Sequence, residues 1–234
     1  MKIGLAQIKP YKGDIPQNID LHLNWIRKAV EEKVDLIVFP ELSLTGYEPE
    51  LAHELAMGAN DPRLNTFQQV SDHEGINIAL GAPTRVENGI LISMLIFQAD
   101  KPMAIYSKQL LHSDEKPYFI EGDFQFILSQ NGIQIAPAIC YESLQKSHAL
   151  RAKELNADIY LASVAKPQKG IEKANEHFPK IALELGIHVL MVNSVGYCDN
   201  FLSTGQSAVW NQDGKLISRL NSNEEQLLII EVPK

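Results

Sequence analysis

Cysteine is scarce in this chain: 234 residues hold only Cys140 and Cys198. Two cysteines do not make a disulfide framework, and neither has zinc-ligand spacing to a partner. The seven histidines are scattered, with no HExxH or CxxC pattern. No metal site and no cofactor are expected. Basic clusters are also missing, and the net charge is −8. That excludes a nucleic-acid partner, because a phosphate backbone calls for a basic patch. Long apolar runs are missing too. The opening MKIGLAQIKP is too short for a signal-peptide core and far too short for a membrane span. The expectation is a cytoplasmic protein with no membrane contact. No repeat, linker or low-complexity stretch interrupts the chain. What remains is ordinary for a globular protein, with 45% hydrophobic and 21% charged residues. The length suits one domain over 1–234 with a substantial core.

Strand-like and helix-like segments alternate. Residues 2–8 read as a strand. Ile19, Leu23, Ile26 and Val30 fall on one helical face after a turn at Pro16–Asn18. The apolar run at 35–39 suits a strand buried on both faces. Helices are predicted around 50–57 and 62–74, and a strand over 77–82. Residues 90–98 and 103–106 flank one turn, and 125–128 and 134–139 flank another. Helix 144–155, strand 158–164, helix 172–185 and strand 188–193 follow. Residues 208–210 and 215–218 meet at Gln212-Asp213-Gly214, a hairpin signal, and 227–232 is a last strand. Helices set apart from hairpins favour a layered α/β fold.

Three of these strand-like runs end in reactive groups. IQIAPAICYE ends in Cys140, DLIVFPE in Glu41 and MAIYSK in Lys108. Open α/β sheets place their ligands at the carboxyl edge of the strands. A thiol, a carboxylate and an ammonium there suit covalent acyl transfer, with nucleophile, base and oxyanion stabiliser. Read alone, Glu41 is an ordinary strand-end acid and Lys108 an ordinary surface lysine. The constellation is what lifts them. Cys198, in GYCDN, reads as a small buried hydrophobe.

PELSLTGY around Glu41, YSKQLL around Lys108 and ICYE around Cys140 resemble the nitrilase, or carbon–nitrogen hydrolase, superfamily, in that family's order. MKIGLAQIKP resembles its first strand, and VNSVGY and STGQSAVWNQDGKLI its late strands. The resemblance implies an αββα sandwich of two mixed sheets flanked by helices, and a homodimer. It implies a small-molecule substrate whose carbon–nitrogen bond is hydrolysed through a cysteine thioester, most simply an amide. N-carbamoyl compounds and nitriles need the same three residues. It also implies a second glutamate after the lysine, which falls on Glu115 in KQLLHSDEKPYF, with Asp114 adjacent, before an aromatic pair that includes Tyr118. Tyr47 and Glu142 match positions that line or brace the pocket, and Asn193 falls in a strand read as structural.

The backbone N–H of Tyr141 is expected to join Lys108 in meeting the oxyanion. The chain departs from the family at SVAKPQKG, where many members place an aromatic residue, and at PKIALEL, where RARAxEN is common. Lys166, in the first of these runs, is expected to open onto the same edge as Cys140 and to meet a substrate carboxylate. Lys169 follows it. Two other classes compete. One is a thiol hydrolase or transferase pairing Cys140 with His148, His177 or His188. The other is an idle binding protein on the same fold.

Overall fold

The computed structural model describes residues 1–233. Its strands, in chain order, are β1 Lys2–Gln7, β2 Leu36–Val38, β3 Asn77–Val86, β4 Gly89–Phe97, β5 Ala104–Ser107, β6 Leu128–Gln130, β7 Ile133–Ile139, β8 Ile159–Val164, β9 His188–Asn193, β10 Val195–Cys198, β11 Phe201–Thr204, β12 Ala208–Trp210, β13 Leu216–Arg219 and β14 Gln226–Glu231. The helices are α1 Ile15–Glu31, α2 Ala52–Leu55, α3 Asn65–Glu74, α4 Lys146–Glu154 and α5 Gln168–Leu185.

Two six-stranded sheets form, in the orders β14-β1-β2-β3-β4-β5 and β13-β12-β9-β8-β7-β6. Both are mixed. β1, β2 and β3 run parallel in the first, and β7, β8 and β9 in the second, with antiparallel strands at the edges. The alternation of side chains along the parallel strands builds the layers. Leu36 and Val38 of β2 meet Ile135 and Ile139 of β7 in the core between the sheets. Ile37 and Phe39 face the other way, onto Ile26 of α1 and Phe67 of α3. Ala136 and Ala138 of β7 face Ile171 and Phe178 of α5. The result is a four-layer αββα sandwich.

Several elements differ from the sequence reading. The two early helices and the one after Cys140 each begin as a short 3-10 turn, at Pro49–Leu51, Pro62–Leu64 and Glu142–Leu144. Strand pairing before β7 starts at Leu128, not Gln125. β3 runs on to Val86 because its partner β4 pairs with it along its whole length. The β10–β11 hairpin was not anticipated.

The buried stripe of α1 is Ile15, Asn18, His22, Ile26 and Ala29, so the helix is rotated from its most apolar face. The two polar residues in that stripe find partners on the loop after β2. Asn18 donates to the Leu44 carbonyl at 3.1 Å, and His22 Nε2 pairs with Ser43 Oγ at 2.9 Å. Burial lowers the pKa of His22 to about 4, so the ring stays neutral. A satisfied polar pair thus holds the segment that carries Glu41.

Candidate active site

Glu41, Lys108 and Cys140 follow β2, β5 and β7, from two different sheets. The sheets meet where Ser163 of β8 donates to the Phe39 carbonyl at 2.9 Å. The Glu41 turn lies directly on β3. A Cβ at Gly81 would sit 2.3 Å from the Leu42 nitrogen and 2.6 Å from the Pro40 oxygen, so only glycine lets the two backbones approach. A similar approach holds Lys108. The Gly122 N–H donates to its carbonyl at 2.8 Å, and a Cβ at Gly122 would meet Ser107 at 2.6 Å.

Lys108 is fully buried and bridges two carboxylates, Glu41 Oε1 at 2.7 Å and Glu115 Oε1 at 2.6 Å. Burial works against its charge, but Glu41, Cys140 and Glu115 together outweigh burial and raise its pKa. Glu115 is itself well held. Its Oε1 also accepts from the Tyr47 hydroxyl at 3.0 Å, and its Oε2 from the His112 N–H at 2.7 Å. Burial and the nearby Glu41 and Glu115 charges keep the Tyr47 phenol protonated, hence a donor.

Burial raises the pKa of Glu41, with Lys108 opposing and Glu115 reinforcing. Its Oε2 is buried with no hydrogen-bond partner among the described residues. The Cys140 thiol is close enough to favour the ionised carboxylate, yet no thiol–carboxylate bond of ordinary geometry forms in this state. An unsatisfied buried acceptor beside a thiol is what a general base needs.

Cys140 sits at φ 46°, in the left-handed region. A non-glycine residue pays about 1–2 kcal/mol to remain there. The strain is held by the Cys140 N–H, which donates to the Ser163 carbonyl at 3.0 Å, and by the Cys140 carbonyl, which accepts from Ser143 Oγ at 2.6 Å. The turn aims the partly exposed thiol into a cavity of about 550 Å³. Burial and Glu41 push the thiol up to about 11, against Lys166 and Lys108. At that value only about one thiol in 10⁴ ionises at neutral pH, so attack needs a base. The Tyr141 N–H, next in the chain, finds no acceptor among the described residues.

The cavity is lined by Tyr47, Glu115, Cys140, Tyr141 and Lys166, by His177, which the competing thiol–histidine reading names, and by others that sequence reasoning missed, notably Phe201 and Lys173. Phe201 comes from the β10–β11 hairpin and packs on Tyr47 with ring centroids 5.7 Å apart. No local pattern announces it. Lys173 and His177 lie four apart on α5, a helical spacing that could have been followed from Gly170.

Two expected substrate contacts are corrected. Tyr118 is exposed and lines a different depression, with His53, Arg85 and Lys116. The turn through Glu115 directs the two chains of the pair apart, burying Phe119 in the core and turning Tyr118 out. Glu142 is fully buried and does not line the cavity. It braces instead. Its Oε1 accepts from the Ile139 N–H at 2.7 Å and the Tyr106 hydroxyl at 2.5 Å, and its Oε2 from the Gln109 N–H at 2.7 Å. One carboxylate thus ties the nucleophile turn to the segment after Lys108.

His148 belongs to that same buried network, 2.9 Å from the Tyr106 hydroxyl and 2.7 Å from that of Tyr160. The side-chain contacts of Cys140 Sγ are Lys166 Nζ at 3.5 Å and the Ala165 carbonyl at 3.8 Å, and no histidine among the described residues bonds to it. Nor does any group of three or more His, Cys, Asp and Glu among them stand where a metal ion could be held. No helix among them is long and apolar enough to cross a membrane.

Two mixed sheets between helices, with a carboxylate and an ammonium buried beside a thiol that opens into a cavity, define the nitrilase-like class of α/β enzymes. The Carbon-nitrogen hydrolase family model matches residues 2–234, and the chain belongs to that family. It is 27% identical to the glutamine-dependent NAD(+) synthetase of Acinetobacter baylyi, over 98% of this chain and 44% of that protein. The chain therefore spans less than half the length of such relatives. It is 24% identical to a hydrolase in the agr operon of Staphylococcus aureus, over 98% of this chain and 90% of that one. An amidase from Nesterenkonia sp. AN1, solved with an acetamide moiety covalently added at its active-site cysteine, shares the fold. Its TM-score is 0.91 at 23% identity, covering 100% of this chain and 90% of that one.

Proposed function

We propose that this carbon–nitrogen hydrolase cleaves a small amide to a carboxylic acid and ammonia through a thioester on Cys140, within one domain over 1–234. The observation that carries this reading is the unsatisfied Glu41 Oε2 beside a protonated thiol that opens into the cavity. Glu41 takes the thiol proton as sulfur attacks the amide carbon. The charge that develops on oxygen is met by Lys108 and the Tyr141 N–H, and one such donor is typically worth about 10²–10³ in rate. The tetrahedral adduct collapses, the carbon–nitrogen bond breaks, and Glu41 returns its proton to the departing nitrogen. Glu41 then takes a proton from water, whose oxygen attacks the thioester. Acid leaves, and the proton returns to sulfur. Glu115 holds Lys108 in place, and Tyr47 holds Glu115.

The Nesterenkonia amidase supports the reading through its modified cysteine, and the synthetases through their dependence on glutamine, itself an amide. N-carbamoyl compounds and nitriles are the competing substrates. The family resemblance carries a homodimer with it, which sedimentation velocity checks. Ammonia release across a panel of amides, N-carbamoyl compounds and nitriles, with mass spectrometry of the acylated protein, tests the function. Cys140→Ala should stay folded and release none, and Cys140→Ser should be nearly inactive because a carboxylate is a weak base for an alcohol. Ammonia release by folded Cys140→Ala at the wild-type rate would overturn the mechanism.

A further inference from the structure

One side of the cavity lining is rich in lysine, on a chain of net charge −8. Lys166, Lys169, Lys173 and His177 all line it. The two acids on the lining are already engaged, Glu115 by Lys108 and Asp114 by His112. Lys166 is the sharpest case, only 4% exposed. Its ammonium touches the Cys140 carbonyl at 3.3 Å and Sγ at 3.5 Å, and no carboxylate among the described residues pairs with it. A buried lysine without a counter-ion is costly.

This one is also held with care. Asn193 Oδ1 accepts from the Lys166 N–H at 2.8 Å, while Asn193 Nδ2, Ser203 Oγ and the Thr204 N–H all donate to its carbonyl. Two further features face the same way. α5 starts at Gln168, after Pro167, with no side-chain cap and no acid in its first turn, so lysines crowd the positive end of the helix dipole. His177 Nε2 is buried and has no partner among the described residues. An anion seated here would satisfy the Lys166 ammonium in the field of the helix end.

We propose that this wall is a carboxylate subsite, and that the substrate is the monoamide of a short dicarboxylic acid, the side-chain amide of an amino acid included. The inference rests on the amide reading above and names its substrate class. A carboxylate oxygen about 2.8 Å from the Lys166 ammonium lies no more than roughly 6 Å from Sγ. An acyl chain of two or three carbons spans that gap at about 1.5 Å per bond. Lys166 is the anchoring contact, Lys173 and His177 the flanking ones, and Asn193 a positioning residue.

The test compares succinamate with 4-methylpentanamide, its neutral isostere, in wild-type protein and Lys166→Met. Because Lys166 also touches sulfur, its loss slows both substrates through the thiolate, and the ratio of kcat/KM isolates the carboxylate. The wild-type ratio should favour succinamate by at least about tenfold and fall roughly 10–100-fold in Lys166→Met. Lys166→Arg, which keeps the cation, should retain part of it. Protection of Cys140 from iodoacetamide by succinate reads occupancy without turnover, and it should weaken at least about tenfold in Lys166→Met. Equal turnover of the two amides with no protection by succinate would remove the subsite and leave amide hydrolysis standing. Lys166-dependent protection with turnover of neither amide would do the reverse.

Discussion

Replacing Lys108 by methionine takes away the cation that Glu41 and Glu115 share, at 2.7 and 2.6 Å. All three side chains are buried. Breaking a buried ion pair by removing one partner costs about 3–5 kcal/mol, because the other charge is left uncompensated. Here Glu41 loses the cation that opposed the effect of burial, and it relieves the cost by binding a proton. Its folded pKa then rises further above the unfolded value of about 4.3. A group with a raised folded pKa stabilises the fold fully below the unfolded value and loses that contribution as pH rises through the folded one. The stability deficit of Lys108→Met should therefore be largest near pH 8 and shrink towards pH 5. Urea denaturation of both proteins at the two pH values measures it. The kinetic effect should sit in kcat. A protonated Glu41 is no base, and one oxyanion donor is gone, so kcat should fall by at least about 10². A deficit independent of pH would refute the shared-cation account. A variant that raised only KM would reduce Lys108 to uniform binding.

Glu41→Gln should block thioester formation and hydrolysis alike, so neither an acyl-protein by mass spectrometry nor steady-state ammonia should appear. Burial raises the Glu142 carboxyl to about 7, against hydrogen bonds from Tyr106 and the Ile139 N–H. Its contribution to stability is thus present below the unfolded value and lost as pH rises through about 7. Glu142→Gln should flatten that part of the stability–pH curve, and it should cost roughly 1–3 kcal/mol because an amide donor then faces a backbone N–H. An unchanged denaturation curve would remove its bracing role. Gly81→Ala should lower Tm and activity together, since the added Cβ meets the Leu42 nitrogen at 2.3 Å. A variant as stable and as active as wild type would contradict the tight approach.

Much of this protein is legible in its sequence. The apolar runs ending in Glu41, Lys108 and Cys140 mark strands buried on both faces, and a strand end is where a side chain leaves the core for a cavity. That local logic also places Lys166 at the edge that holds Cys140. The misread elements fail for one reason: their conformation answers to contacts far along the chain. α1 turns Asn18 and His22 inward because Leu44 and Ser43 offer them partners. Phe201 reaches the cavity on a hairpin whose turn is held by Glu48, which accepts from the Asp199 N–H. Tyr118 and Glu142 stand beside reactive residues in sequence, yet one turns to solvent and the other into the core.

Sequence alone determined which reactive groups end which strands, because hydrophobic periodicity and strand length are local properties. Tertiary structure decided how those groups meet. Glu41 and Lys108 follow strands of one sheet and Cys140 a strand of the other, and only the face-to-face packing of the sheets brings a carboxylate beside a thiol. The same packing leaves Lys166 buried with no carboxylate partner among the described residues, its ammonium touching the sulfur and carbonyl of Cys140, from another strand.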